Sequence, residues 1–261
     1  MGDAYNLCHF RNGDQIHRRG IYAALPVGPS FGGGQKIPGN LLNSPKNAQA
    51  LEALLSKTSI RRIAGFASCK CLLNLCKVNN SLFSAAFATW APRLYDYYQG
   101  HISQLFMKHL TLQQNFTESV FTTCTFNFGP KTYCLPHRDF CNLSFGWCSI
   151  TALGNFDPKK GGHLILFDLG LVIEFPPGST ILIPSAIFRH GNVELAPGEK
   201  RMSFTQYTAG GLFRWVDAGF QTLKNFQKED PARKKLFDEQ MKSRGQTGLN
   251  LFSTLAELKK I

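Results

Sequence analysis

The sequence predicts an α+β fold in which a double-stranded β-helix core, of the jelly-roll or cupin-like kind, carries flanking helices. The first observation is a change of period: leucines and alanines recur at helical spacing up to Leu110, whereas short alternating segments begin at Phe121. The second is that Gly-Pro, Pro-Pro-Gly and Pro-Gly turns separate these segments, as is typical of closely packed short strands. A chain of 261 residues with 43% hydrophobic residues can bury one substantial core.

We therefore expect one domain over residues 1–261, built from three consecutive segments. Residues 1–118 should form a glycine-rich N-terminal segment and supporting helices, residues 119–216 the double-stranded β-helix core, and residues 217–261 the C-terminal helices. The stretch up to Asn43 has many glycines and no helical spacing, so we expect it to be irregular.

Three helices are expected before the core. The first runs from Pro45 to Thr58 and begins after Ser44, which is a favourable N-cap residue. Two more are expected from Arg61 to Val78 and from Ser81 to Leu110. Pro92 should break the last of these, because proline removes a helical hydrogen bond and clashes with the preceding turn.

Strands are expected where β-branched and aromatic residues alternate between turns. They fall at residues 123–128, 132–135, 144–152, 162–167, 171–175, 180–183 and 201–208. Helical spacing returns in the amphipathic tail from Asp217 to Lys242, and Pro231 should divide that tail into two helices.

A candidate metal site begins directly after one of these predicted strands. In an extended segment residues i and i+2 project to the same side, so His137 and Asp139 can reach one metal ion while Arg138 points away. His190 follows the buried strand at 180–183 and would supply a second imidazole. Each histidine alone could be an ordinary core residue, but two imidazoles and one carboxylate leave coordination positions open. That pattern favours non-haem Fe(II) over a structural zinc, whose shell protein ligands would fill.

A carboxylate clamp is expected beside the metal site. Arg201, Ser203 and Tyr207 share one face of the strand at 201–208. A planar guanidinium suits bidentate capture of a carboxylate, and the Ser203 hydroxyl can bind the same group. Arg201 and Ser203 would then anchor the far end of a 2-oxo diacid whose keto-acid end chelates iron.

This order of residues resembles the Fe(II)- and 2-oxoglutarate-dependent dioxygenases from near Phe121 to Trp215, and within them the TET/JBP family, which oxidises methylated bases in DNA. The metal motif of that family reads His-Arg-Asp-x-His-Asn, and the run here is His137-Arg138-Asp139-Phe140-Cys141-Asn142. The resemblance implies that Asn142 contacts the target base and that Tyr207, six positions after Arg201, stacks on it. A glycine-rich Ser30-to-Gln35 segment and the lack of a cysteine-rich zinc region make the chain most similar to the fungal branch.

The resemblance implies Fe(II) and 2-oxoglutarate as cofactors, dioxygen as co-substrate, and stepwise oxidation of 5-methylcytosine to its hydroxymethyl, formyl and carboxyl forms by base flipping. Animal TET proteins have Tyr-Gln-His where this chain has Tyr207-Thr208-Ala209. The smaller Ala209 would leave room for a bulkier base, so demethylation of N6-methyladenine is also considered. Two alternatives stay open: a prolyl-type protein hydroxylase using the same iron site, and a non-catalytic DNA-binding module.

The charge of the chain indicates its partner. A formal net charge of +12 and a pI of about 9.4 favour a polyanion, with nucleic acid first and an anionic membrane surface second. The resemblance implies that this nucleic acid is methylated, duplex DNA. Candidate phosphate contacts are Arg18-Arg19, Arg61-Arg62, Lys159-Lys160, Arg214 and Arg233-Lys234-Lys235. No apolar run suits a signal peptide or a membrane span, so we expect a soluble protein. We also expect it to be an intracellular monomer, and its substrate class implies a nuclear location.

The cysteines and one further histidine are expected to have structural roles. The chain has eight cysteines, and Cys69, Cys71 and Cys76 fall in a predicted helix where their thiols would point to different faces. Reduced, mostly buried thiols are therefore expected rather than a zinc cluster. His163 follows two glycines at the start of a predicted strand and is assigned to the structure of that strand.

Overall fold

Two antiparallel sheets form the centre of the protein. The computed structural model describes residues 1–10, 15–68, 86–117 and 119–259. The strands are β1 (Ile16–His17), β2 (Gly20–Ile21), β3 (Ala24–Val27), β4 (Pro29–Ser30), β5 (Gly39–Asn40), β6 (Thr123–Asn127), β7 (Cys148–Asn155), β8 (Leu164–Leu166), β9 (Leu171–Ile173), β10 (Thr180–Ile183), β11 (His190–Asn192) and β12 (Lys200–Tyr207). A large sheet has the order β10-β7-β12-β6-β3, and a small one has the order β11-β8-β9.

Helices surround the sheets. Those in the described residues are α1 (Gly2–Leu7), α2 (Pro45–Leu55), α3 (Thr58–Ser68), α4 (Ala86–Trp90), α5 (Pro92–Lys108), α6 (Gly210–Asp217), α7 (Leu223–Glu229), α8 (Pro231–Leu249) and α9 (Leu255–Leu258), with a 3₁₀ turn at Phe167–Leu169. No helix among these residues combines the length and the apolar composition that crossing a lipid bilayer requires.

An apolar cluster lies between the two sheets. Ala152 and Ile183 from the large sheet join Leu164 and Leu166 from the small sheet in this cluster. The large sheet uses its other face for the helices, where Phe204 packs in one cluster with apolar residues of α2 and α3. Two sheets closing on each other, with helices outside them, give the jelly-roll-like α+β architecture predicted from the sequence.

Alternation along β12 sends side chains to opposite faces of the large sheet. Phe204 is buried against the helices, whereas Ser203 and Thr205 point the other way, and β12 pairs with β6 on one side and β7 on the other. This central position buries most of the strand, so the polar residues of its inner face are held in a protected interior.

Prolines mark the helix boundaries as predicted. α4 ends at Trp90 and α5 begins at Pro92, and α7 ends at Glu229 before α8 begins at Pro231. Ser44 caps α2 by accepting a hydrogen bond from the backbone nitrogen of Asn47. The second helix begins earlier than expected, at Thr58, and is described up to Ser68. The rest of that predicted helix, with its three cysteines, lies outside the described residues.

Two local predictions were wrong. The expected strand at residues 132–135 is an irregular segment, because it makes single backbone hydrogen bonds to Arg201, Asn192 and Arg19 rather than a continuous ladder. The N-terminal stretch is not wholly irregular, since Ala24–Val27 adds an edge strand to the large sheet. Pro26 hides this strand in the sequence, but proline is tolerated at a sheet edge, where one side of the strand has no partner. The β-core therefore extends beyond residues 119–216.

Candidate metal centre and its cavity

The two predicted histidine ligands lie side by side across a short backbone pairing. The backbone nitrogen of His137 donates to the carbonyl of His190, and the nitrogen of His190 donates to the carbonyl of His137, both at 2.9 Å. The centres of the two imidazole rings are 4.3 Å apart. A pairing of two segments distant in sequence thus places both rings on one side.

Hydrogen bonds at the far side of each ring leave the inner nitrogens free. Nδ1 of His137 lies 2.7 Å from the carbonyl oxygen of Leu135, and Nδ1 of His190 lies 2.9 Å from that of Phe188. A carbonyl only accepts, so each Nδ1 carries a proton, which leaves Nε2 of each ring as the nitrogen that can bind a metal ion. Each Nε2 is 3.8 Å from a different carboxylate oxygen of Asp139.

These three side chains can hold one metal ion. Their ligand atoms lie within 4.8 Å of one another. Burial, followed by the neighbouring His190, lowers the pKa of His137 to about 4, so its imidazole is neutral near pH 7. Metal binding near neutral pH then displaces no proton from His137. Two imidazoles and one carboxylate are the donor set that non-haem Fe(II) takes with open positions left over, so the residues fit the predicted metal.

Arg138 points away from the metal centre, as the i, i+2 geometry predicts. Its Nε donates to the carbonyl of Ile187 at 2.7 Å, and its Nη2 lies 3.0 and 3.2 Å from the two carboxylate oxygens of Asp168. Asp168 also accepts from the backbone nitrogen of Arg189 at 2.5 Å. The guanidinium therefore connects the loop that carries two candidate ligands, His137 and Asp139, to the segment just before His190.

Replacing Arg138 with glutamine should weaken metal binding roughly tenfold, because residues that orient metal ligands typically contribute 10- to 100-fold in affinity. Asp168→Asn should weaken metal binding by a similar factor. The double variant should lose less metal affinity than the product of the two factors, since both changes break the same contact between Arg138 and Asp168. Titration with Co²⁺, followed by its visible absorption, measures the affinity. Arg62→Gln, an exposed arginine on α3, is the matched control. Equal Co²⁺ affinity in all four proteins would show that this ion pair has no positioning role.

Arg201 lies in the interior without a described counter-ion. It is 1% exposed; its Nη1 donates to the carbonyl of Thr132 at 2.8 Å, and its buried Nε has no hydrogen-bond partner among the described residues. The rings of Phe156 and Phe175 lie 6.0 Å from the guanidinium carbon. Burial lowers the pKa of Arg201. A buried, unpaired cation is costly to the free protein, so this position is suited to an anionic ligand.

Ser203 lies one inward position further along β12 and is also buried. Its hydroxyl oxygen accepts from Nδ2 of Asn127 at 3.0 Å, and among the described residues the hydroxyl donates to no acceptor. Asn127 stands directly opposite Ser203 in the pairing of β6 with β12, and its Oδ1 is buried without a described partner. Sequence reasoning missed Asn127; the signal that could have found it is the alternation along β6, which puts Thr125 and Asn127 on one face.

A cavity of about 350 Å³ opens beside the metal centre. Its lining residues are Arg18, Arg19, Asp139, Phe140, Cys141, Asn142, Thr205 and Tyr207. The candidate ligand Asp139 thus shares one cavity with both residues that the resemblance assigns to the base. A larger cavity of about 450 Å³ lies along α5, but no carboxylate, histidine or basic side chain is among its described lining residues.

Asn142 and Tyr207 are each held by one hydrogen bond. Nδ2 of Asn142 donates to the hydroxyl of Ser185 at 3.1 Å, while its Oδ1 has no partner among the described residues. The Tyr207 hydroxyl lies 3.2 Å from that of Thr125. Burial raises the pKa of Tyr207, which keeps the phenol neutral. An amide oxygen and an aromatic ring are therefore available at the cavity wall.

Ala209 does not enlarge this cavity. Its side chain is buried in the apolar cluster that α5 and α6 share, and it is not among the cavity's lining residues. The expectation that a small residue at this position makes room for a bulkier base is therefore wrong. The cause is the backbone pairing of Asn142 with Ala209, after which helix α6 begins and carries the chain into the core.

Arg19 belongs to the site rather than to the outer surface. It lines the cavity together with Asp139, and its side chain makes no hydrogen bond or ion pair to a described residue. Burial works to lower the pKa of Arg19, but interactions with Tyr22 and Asp139 outweigh this effect and raise it. The sequence placed Arg19 only among candidate phosphate contacts, because nothing local links it to residues so far along the chain.

Most other basic residues that the charge pattern singled out lie on the surface. Arg18, Arg61, Arg62, Lys159, Lys160, Arg214, Arg233 and Lys235 are exposed. Lys234 is an exception, because it is 9% exposed and its ammonium lies 2.6 Å from Asp238 on the same helix. Lys234 is therefore a packing residue of α8 rather than a free cation.

Comparisons with known proteins give limited likenesses. No protein-family model matches the sequence, and no curated protein matches it. The fold is similar to a structure of NgTET1 in complex with 5mC DNA, with a TM-score of 0.43 and 15% identity, over 72% of this chain and 61% of that chain. It is also similar to an oxidoreductase of the 2OG-Fe(II) oxygenase family from Burkholderia pseudomallei, with a TM-score of 0.35 and 16% identity, over 74% of this chain and 71% of that one. Likeness at this level assigns no activity to this chain.

Proposed function

We propose that this chain is an Fe(II)- and 2-oxoglutarate-dependent dioxygenase that oxidises methylated bases in DNA, with 5-methylcytosine as its principal substrate. One observation carries the proposal: the ligand Asp139 lines the same cavity as Asn142 and Tyr207. A metal-binding carboxylate, an available amide oxygen and an aromatic ring thereby meet at one opening.

His137, Asp139 and His190 would hold the iron. When bound, Fe(II) with 2-oxoglutarate supplies the oxidising chemistry that uses dioxygen to hydroxylate a methyl group and converts the keto acid to succinate and carbon dioxide. The protein's part is to present three ligands in fixed positions. The Nδ1 hydrogen bonds to Leu135 and Phe188 keep both imidazoles in the tautomer and orientation that ligation needs.

Arg201 and Ser203 would bind the far carboxylate of 2-oxoglutarate. The free Nε of Arg201 and the hydroxyl proton of Ser203 are donors in the protein interior, where a charge-assisted hydrogen bond is strong. Binding an anion there also neutralises a guanidinium that the free protein leaves unpaired among described residues. The energetic cost of that buried charge is thus offset only when the ligand is present.

The cavity suits a single extruded base. Its volume of about 350 Å³ lies at the lower end of ligand pockets, which span roughly 300–1,000 Å³. Oδ1 of Asn142 can accept from the exocyclic amine of cytosine, and the ring of Tyr207 offers a stacking surface. A methyl group inside a duplex is out of reach of a buried metal, so the nucleotide must leave the stack to be oxidised. The net charge of +12 favours the polyanionic partner that this requires.

The proposal predicts oxidised bases from methylated DNA. The full chain is loaded with Fe(II) without oxygen, then incubated in air with 2-oxoglutarate and duplexes carrying 5-methylcytosine or N6-methyladenine, and the nucleosides are analysed by mass spectrometry. Asn142→Ala and Tyr207→Ala should each lower kcat/KM for the duplex roughly tenfold, the scale of a lost base contact. Asn155→Ala, an exposed asparagine at the end of β7, is the matched control and should match the unmodified chain.

The same variants test the competing functions. If the chain is a prolyl-type protein hydroxylase, both substitutions should leave peptide hydroxylation intact, and DNA binding should lack the steep salt dependence that phosphate contacts produce. A chain that binds iron but oxidises no methylated base in any duplex would contradict the proposal. Such a chain that still binds DNA would favour a non-catalytic binding module.

A further inference from the structure

Phe140 is a large apolar side chain placed at the rim of the cavity. It is 71% exposed, and it follows the ligand Asp139 directly in sequence. Isolated exposed apolar residues are common on protein surfaces, so the exposure of Phe140 alone does not indicate a function. Its position does indicate one, because Phe140 lines the cavity with Asp139 and Asn142, and a substrate entering that cavity passes beside the ring.

Arg18 holds the ring of Phe140 from one side. Its guanidinium carbon lies 5.2 Å from the centre of the ring, and its Nη2 donates to the carbonyl of Arg138 at 3.0 Å. A cation over an aromatic face is an attractive arrangement. The hydrogen bond ties Arg18 to the ligand loop, and no carboxylate among the described residues forms an ion pair with it. The pair therefore combines an exposed aromatic surface with an unneutralised positive charge.

We propose that Phe140 and Arg18 form a stacking platform for a nucleobase next to the base held in the cavity, with Arg18 facing a neighbouring phosphate. This rests on the proposed function insofar as the substrate is DNA. When one nucleotide leaves a duplex, the adjacent base loses a stacking partner, and an aromatic ring at the opening replaces it. Aromatic side chains stack on any base, because every base has a π-face, and a nearby arginine adds a phosphate contact.

Three substitutions of Phe140 distinguish aromatic stacking on a base from a general requirement for an apolar side chain at this position. Binding of the full chain, loaded with Co²⁺, to a fluorescein-labelled duplex with one 5-methylcytosine is measured by anisotropy at fixed salt. Phe140→Ala and Phe140→Leu should both raise the Kd roughly tenfold, the scale of a lost base–aromatic contact, whereas Phe140→Trp should bind like the unmodified chain. Phe66→Leu, a half-exposed phenylalanine on α3, is the matched control and should not change the Kd.

Two further measurements test the platform directly. The emission of the Phe140→Trp variant should be quenched by the duplex more than that of the unmodified chain, which has three tryptophans. Arg18→Gln should reduce the slope of log Kd against log salt by about one, as expected for one lost phosphate contact.

The outcomes are separable from those of the proposed function. If the unmodified chain oxidises methylated DNA but Phe140→Leu binds and reacts normally, the platform is wrong and the proposed function stands. If no duplex is oxidised but Phe140→Leu still weakens DNA binding while Phe140→Trp does not, the proposed function fails and the platform stands. Loss of Co²⁺ affinity in parallel with DNA affinity would show that Phe140 only supports Asp139, which would overturn the inference.

Discussion

Asp139→Ala should abolish metal binding and, with it, all oxidation of DNA. The Asp139 carboxylate lies 3.8 Å from Nε2 of both His137 and His190, so a single carboxylate faces both imidazoles. Its removal leaves two imidazoles and no negative charge to balance a divalent cation. The loss of metal affinity should exceed the roughly 10- to 100-fold loss that is typical when a residue hydrogen-bonded to a metal ligand is replaced.

Titration with Co²⁺ measures this effect without turnover. Asp96→Ala removes an exposed aspartate on α5 and should bind Co²⁺ like the unmodified chain. Asp139→Asn keeps the shape of the side chain but removes its charge, so it should resemble Asp139→Ala if charge is what binds the ion. Undiminished Co²⁺ affinity in either Asp139 variant would show that the three side chains are not the metal site.

Arg201→Met should have opposite effects on cofactor binding and on stability. Loss of one member of a buried charge pair typically costs about 2–5 kcal/mol, which is a rise of roughly 30-fold or more in the KM for 2-oxoglutarate. The ligand-free protein should unfold at the same or a higher temperature, since the substitution removes a 1% exposed guanidinium with no described counter-ion. Arg201→Lys keeps the charge but loses the planar guanidinium, so its KM for 2-oxoglutarate should lie between those of the unmodified chain and Arg201→Met.

The KM for 2-oxoglutarate tests the predicted effect on cofactor binding, and thermal unfolding with and without 2-oxoglutarate tests the predicted effect on stability. The ligand should raise the unfolding temperature of the unmodified chain and not that of Arg201→Met, because only a protein that binds is stabilised. Arg214→Gln changes an exposed arginine on α6 and should behave like the unmodified chain. An unchanged KM in Arg201→Met would place the anion site elsewhere.

Local patterns predicted the elements that depend on neighbours in sequence. Alternation at residues 201–208 corresponds to β12, and Pro92 and Pro231 each begin a helix. Proline has no backbone donor wherever it occurs, so its effect on a helix can be read locally. The strand at Ala24–Val27 could not be read in this way, because it is stabilised by pairing with β6, about a hundred residues later, rather than by its own composition.

The features of the candidate site divide in the same way, into those set by neighbours in sequence and those set by tertiary packing. The sequence by itself determined which chemical groups are present and that His137 and Asp139 can reach one point, since i and i+2 share a side in extended backbone. Only the tertiary structure decided that His190 pairs with His137 through two backbone hydrogen bonds of 2.9 Å. It also decided that Arg19 lines the cavity and that Ala209 is packed in the core. These contacts join segments far apart in the chain, and their geometry depends on how the two sheets and the helices pack, which no local spacing encodes.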